Sequence, residues 1–196
     1  MRKPNTLAYV GVLLVGAALV WALFVVLPGL YPEDRPVESP VSAAPETATR
    51  KITAHLFFVA EDGLTLESVE QDVVYGEGTI EQAEHLVEAQ LSPAPPPLTS
   101  AIPPGTRLHR VFVSERGEAF VDLSTEVRSA HPGGSLNELF TVYSIVNALT
   151  VNLPAITAVQ ILIDGVEVDS LSGHVDLRRP LQQNDRLVNQ AVDDRP

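Results

Sequence analysis

Residues Thr6 to Leu27 (TLAYVGVLLVGAALVWALFVVL) form a run without a single charge, and this run limits the possible folds more than any other feature. At about 1.5 Å rise per residue a helix over it measures about 33 Å, against a bilayer hydrocarbon core of about 30 Å. Gly11 and Gly16 would weaken a water-soluble helix but are ordinary in a membrane span. A cleaved signal peptide has an apolar core of about 7–15 residues, followed closely by a small-x-small site. Here the nearest such site, Val41-Ser42-Ala43, lies far past the end of the run, so residues 6–27 read as a retained transmembrane helix. Arg2 and Lys3 flank one end; Glu33, Asp34 and Arg35 flank the other. The positive-inside rule then makes residues 1–5 a cytoplasmic stub. It makes the chain a single-pass protein of the inner or plasma membrane, extracytoplasmic after Leu27.

Residues 28–50 contain Pro28, Pro32, Pro36, Pro40 and Pro45 among Ser, Ala and Glu. Such a stretch has little to bury and favours extended polyproline II, reaching up to about 70 Å at about 3.1 Å per residue. It reads as a spacer.

Residues 51–181 read as one compact α/β unit. Lys51–Ala60 and Leu66–Val74 suit strands, the first apolar on both faces. Thr79 with Gln82 forms a predicted capping box for a helix through Leu91, burying Ile80, Ala83, Val87 and Leu91 with Leu86 at the margin. Six prolines between Ser92 and Thr106 exclude helix or central strand there. Arg107–Ser114 and Ala119–Leu123 pair as a hairpin around residues 115–118. Ser135 with Glu138 is a second predicted capping box, opening a long helix from Leu136 to Leu153 that Pro154 stops. Ala158–Ile163 and Val166–Ser170 flank Asp164-Gly165, the pair a type I′ turn requires. Residues 182–196 are polar and read as a loose tail.

Composition removes whole classes of chemistry. The chain has no Cys, which excludes disulfides, thiolate metal sites, a thiol nucleophile and N-terminal Cys lipidation. The net charge of −12 comes without any Lys/Arg-rich stretch, so the electrostatic footprint of a nucleic-acid binder is missing. His55, His85, His109, His131 and His174 are scattered without metal-ligand spacing. His85 and Glu88 share a helix face but lack an evident third ligand, and read as a solvated pair. Ser135 lacks the following Gly of a nucleophile elbow and reads as a helix cap. Asp122, Asp164, Asp169 and Asp176 fall at turns or strand ends with no acid–base pairing in their spacing. Glu81, Glu84 and Glu88 make an acidic stripe whose default reading is a solvated face. No cofactor, metal or catalytic residue is expected.

The long helix is unusual on its non-core side. Asn137, Thr141, Ser144, Ala148 and Asn152 recur there with only Glu138 charged, and Ile145 intrudes. A solvent-facing helix normally carries Lys, Arg or Glu. Small uncharged residues admit another surface, either a partner or this chain's own tail or loop, and these five are the candidate interaction surface. Asn147 falls near the centre of the apolar arc and needs hydrogen-bond partners if buried.

The succession of motifs resembles the GerMN domain, the sporulation and germination domain of bacterial envelope proteins and lipoproteins. The matching pieces are ITAHLFFVAEDGLTLESV, Ile102–Thr106 (IPPGT), RVFVSERGEAFVDLS at Arg110–Ser124, GGSLNELFTVYSIVNALT at Gly133–Thr150, VQILIDGVEV at Val159–Val168, and Gly173 to Leu177 (GHVDL). The resemblance implies an α/β domain similar to ring-building-motif domains, a mixed sheet with two helices on one face, and no catalytic residues. Lipoprotein members of that family carry an acylated Cys; this chain has none, leaving Thr6–Leu27 as its anchor. The expectation is a membrane-anchored, non-catalytic interaction module of the cell envelope that associates with itself or another envelope protein. The alternative is a cell-wall or small-ligand module with a cleft between the Pro-rich loop and residues 131–135, ahead of an envelope hydrolase.

Overall fold

The computed structural model describes residues 50–189 together with Trp21. The expected span 6–27 apart from Trp21, nearly all of the spacer and residues 190–196 lie outside the described residues. Among the described residues no helix is long and apolar enough to cross a membrane.

Strands β1 (Lys51–Val59) and β2 (Leu66–Val74) form an antiparallel hairpin from Lys51↔Val74 to Val59↔Leu66. Helix α1 (Thr79–Leu91) follows, then the Pro-rich loop, strands β3 (Leu108–Val113) and β4 (Glu118–Leu123), and one turn of helix, α2 (Glu126–Ser129). The long helix α3 (Ser135–Asn152) leads into β5 (Ala158–Ile163) and β6 (Val166–Glu167). The second sheet has the order β3-β4-β5-β6. Its β4–β5 pair is parallel and its other pairs antiparallel, because α2 and α3 supply the crossover that a parallel pair needs.

The mixed sheet and the α/β class match expectation, but the strands divide into two sheets. The reason lies at the outer edge of β1, where side chains take the place of a neighbouring strand. Asn152 Oδ1 accepts from His55 N–H (2.9 Å) while its Nδ2 donates to His55 C=O (2.7 Å). Gln90 repeats the device on Phe57, at 2.9 Å and 2.7 Å. Thr99 completes the edge through backbone bonds to Val59. Helix α3 packs against β1 and β5, and α1 packs against β1, β2, β3 and α3. The core between them includes Leu56, Phe58, Leu86, Val121, Phe140, Ile145, Leu149 and Ile161.

Four local expectations are corrected. Neither capping box forms: the N-caps are Gly78 and Gly134, without side-chain cap bonds. Gln82 instead accepts from Gly76 N–H at 2.9 Å, and Glu138 is engaged elsewhere. The buried stripe of α1 is Gln82, Ala83, Leu86, Val87 and Gln90, which leaves Ile80 46% exposed; the two anchored amides rotate that face inward. Strand β6 ends at Glu167, although its turn is as expected, with φ of 49° at Asp164 and 76° at Gly165. The expected loose tail is packed as far as Asn189. Leu181 bridges Val159, Asn184 exchanges bonds with Asn147, and Asn189 N–H donates to Leu66 C=O at 2.7 Å.

Candidate functional site

The five residues expected to present an interaction surface do not form one. Thr141, Ser144 and Ala148 are fully buried. Thr141 Oγ1 donates to Ala101 C=O at 2.6 Å, which seats the Pro-rich loop on α3, and Ser144 Oγ bonds Thr141 C=O. Asn152 is half-buried in its double bond to His55. Only Asn137 is exposed, and its amide donates to Gly133 C=O at 2.8 Å. Small residues on this face let the chain cover its own helix: β1 and the Pro-rich loop occupy the place of a partner.

Other buried polar groups act as struts in the same way. Glu138, with no exposure at all, accepts four hydrogen bonds: from the N–H groups of Leu171 (2.8 Å), Ser172 (3.0 Å) and His174 (2.8 Å), and from Ser172 Oγ (2.9 Å). Burial by itself would raise its pKa; the bonds from Ser172, His174 and Leu171 outweigh that and hold the carboxyl below its usual value. Asn147 Oδ1 accepts from Asn184 N–H, and its Nδ2 donates back to Asn184 C=O. Among the described residues Thr65 Oγ1 alone is a buried side-chain polar atom without a partner.

The residues weighed for chemistry are dispersed. Ser135 is exposed at the first position of α3. His131 Nδ1 accepts from Gly133 N–H, so its Nε2–H faces Thr141 Oγ1 at 3.2 Å. That chain of bonds ties the 131–134 loop to the Pro-rich loop where a ligand cleft was expected. His85 lies against Val74 C=O (3.1 Å), with Glu88 exposed nearby. Asp122 accepts from Gly165 N–H at 2.6 Å and faces Arg110 at 3.6 Å. Asp164 meets His109 at 3.0 Å. Asp169 is exposed, and Asp176 is held well below the usual carboxylate pKa by its hydrogen bonds from Arg178. Among the described residues no group of three or more His, Asp or Glu is placed to hold a metal ion.

The surface that stays open lies along β3. An open groove of about 620 Å³ runs between α1 and β3, lined by Gly78, Thr79, Ile80, Glu81, Glu84 and Val113. Glu81 accepts from Glu77 N–H, and Glu84 reaches across to Val111 N–H at 3.3 Å. On the opposite face of β3, Phe112 is 50% exposed beside half-buried Phe120, its pairing partner, with the Arg110 guanidinium 5.7 Å from its ring. In the sequence this region is hidden, because Ile80 fits the expected apolar stripe of the helix and the glutamates fit a solvated face. The legible signal was Gln82, Leu86 and Gln90 at steps of four: one helical face that places Ile80 outside it.

The sporulation and spore germination family model, Germane, matches residues 55–169. No curated protein matches the chain. Among solved structures, a Clostridium perfringens protein named provisionally as a lipoprotein is similar at 24% identity and a TM-score of 0.49, over 69% of this chain and 89% of that one. The tandem GerMN domains of the Bacillus subtilis sporulation protein GerM are similar at 19% identity and a TM-score of 0.48, over 69% of this chain and 45% of theirs. The first GerMN domain of that protein gives 19% identity and a TM-score of 0.49, over 67% and 97%. The family match spans more than half of the sequence, every element from His55 in β1 to Asp169 after β6 included, and the chain belongs to the Germane family of sporulation and spore germination domains.

Proposed function

We propose that this chain is a membrane-anchored, extracytoplasmic interaction module that works by contact with another envelope protein and carries out no bond-making chemistry. Residues 6–27 hold it in the membrane and the spacer sets its domain away from the surface. The observation that carries the reading is Phe112, a large aromatic left half-exposed on an edge strand beside an open groove. The buried polar side chains of the domain are meanwhile spent on its own backbone. Phe112 pairs with half-buried Phe120, and aromatic side chains are enriched in protein–protein interfaces relative to the rest of a surface.

Photo-crosslinking in the native host tests this. A photo-reactive phenylalanine analogue is placed in turn at Leu64, Phe112, Leu136, Val151 and Val166, all exposed. The reading expects one or more positions to capture a defined protein neighbour. Capture at none of them, together with esterase or peptidase turnover by the purified chain, would replace the module with an enzyme.

A further inference from the structure

We propose that the groove between α1 and the free edge of β3 takes an extended, Lys- or Arg-bearing segment of a partner protein as an added strand. This rests on the interaction-module reading and supplies its contact and the chemistry of its partner.

The strand edges of the domain are not equivalent. That of β1 is filled by Gln90, Asn152 and Thr99. That of β2 meets Val188 and Asn189 at Leu66, and beyond it carries Glu67, Glu70 and Asp72, charges that discourage strand addition. Strand β6 is two residues long. Among the described residues, β3 has an edge held by one long side-chain bond, from Val111 N–H to Glu84, with apolar residues on both of its flanks.

Its geometry suits a guest strand. Val111 N–H points away from β4, since it donates to Glu84 Oε1. Bonding direction alternates along an antiparallel strand, so the backbone of Val113 points the same way. Side chains of an added strand would alternate between two faces. On the helix side they would meet Ile80 and Val113 in the groove; on the other they would meet Phe112. One arrangement thus accounts for both exposed apolar residues. Strand addition draws affinity from main-chain bonds and selectivity from such alternate pockets.

Charge selects the guest. Glu81 and Glu84 line the groove, and Glu77 adjoins it. Glu84 acts as a placeholder: its single bond to Val111 is long, at 3.3 Å. A guest carbonyl replaces that bond and frees the carboxylate to pair with a guest ammonium or guanidinium. A second copy of this chain fits poorly, because a net charge of −12 and the same carboxylates would meet themselves.

Fluorescence anisotropy on the full-length chain in non-ionic detergent tests the proposal. The probe is the labelled peptide Gly-Thr-Lys-Val-Lys-Val-Thr-Gly, and its control has Glu in place of both Lys. The lysine probe is expected to bind about tenfold more tightly or better, a preference that shrinks with added salt. Val113→Pro removes an outward N–H at an edge, where proline is tolerated, and is expected to weaken binding about tenfold. Glu84→Gln keeps an acceptor for Val111 and is expected to reduce the lysine preference about fivefold. Should Val113→Pro misfold by circular dichroism, Ile80→Asn at an exposed helix position applies the same test to the groove. Equal binding of both probes, or unchanged binding by a folded groove variant, overturns the proposal. So does a dimer in sedimentation that Val113→Pro disperses, which would make a second copy the occupant. Crosslinking separates the two readings: capture from any of Leu64, Leu136, Val151 or Val166 but never from Phe112 sinks the groove and leaves the module standing, whereas capture from none of the five positions, with turnover by the purified chain, sinks the module itself.

Discussion

Glu138 concentrates the stability of one end of the domain in a single carboxylate. Four donors from the 171–174 segment converge on it, and a charge this deep is tolerable only because they do. Glu138→Gln turns one acceptor oxygen into an NH₂ group facing N–H donors, and should cost about 3 kcal/mol. The carboxyl's folded pKa lies below its ordinary value of 4.5, so its contribution is complete above that value. It is lost as pH falls through the lowered folded pKa. Pulse proteolysis of the full-length chain across this acid range should show a steep loss of stability that Glu138→Gln flattens. The only Trp lies at position 21, so tryptophan emission is a poor reporter of the domain. An acid limb of the same slope in both chains would remove Glu138 from this role. The reading from sequence placed Glu138 in a capping box because its spacing from Ser135 fits one; what diverted it is a loop more than thirty residues away, which no local pattern encodes.

At the scale of elements, α1 and α3 each end in an amide that closes β1. Gln90→Ala would leave Phe57 N–H and C=O buried and unpaired, at a cost of about 2–4 kcal/mol. Gln90→Leu refills the volume without restoring either bond and should be nearly as damaging. Rescue by Leu would show that packing, and not the bonds, holds the edge. Hydrogen exchange at the Phe57 amide gives a second readout, with protection expected to fall in both variants. The β3–β4 hairpin has a different constraint. Gly117 sits at φ +79°, and a Cβ there would lie 2.6 Å from Ala155 C=O, while its own carbonyl accepts from Thr157 N–H. Gly117→Ala should therefore destabilise by about 2 kcal/mol or more in denaturant melts. Most elements were legible beforehand because alternation, Asp164-Gly165 and Pro154 are local signals. The division into two sheets was not, since it depends on Gln90 and Asn152 reaching strands distant in sequence. The small-residue face of α3 was recognised as a covered face, but sequence could not tell a partner from β1. The groove along β3 escaped notice because Ile80 fits an apolar stripe that two anchored amides displaced.

The whole molecule joins a domain whose β1 edge is closed by its own side chains to an N-terminal run whose length and lack of charge suit a bilayer. If contact with a neighbour is the task, holding the domain at a membrane raises its effective concentration near other envelope proteins, and a spacer sets how far it can search. A net charge of −12 gives the chain little attraction to anionic headgroups, so under the proposed function the anchoring would fall to the run 6–27. Alkaline carbonate strips peripheral proteins from membranes and leaves spanning helices in place. The full-length chain should stay with the membrane pellet, and a chain lacking residues 1–27 should move to the supernatant. Protease added to intact spheroplasts should digest the 51–189 region of the full-length chain, as expected for a domain outside the membrane. Recovery of a chain beginning after Ala43 from the growth medium would show that the run is a cleaved leader; the groove along β3 would then serve a secreted protein, and its partner should be sought in the medium or the wall.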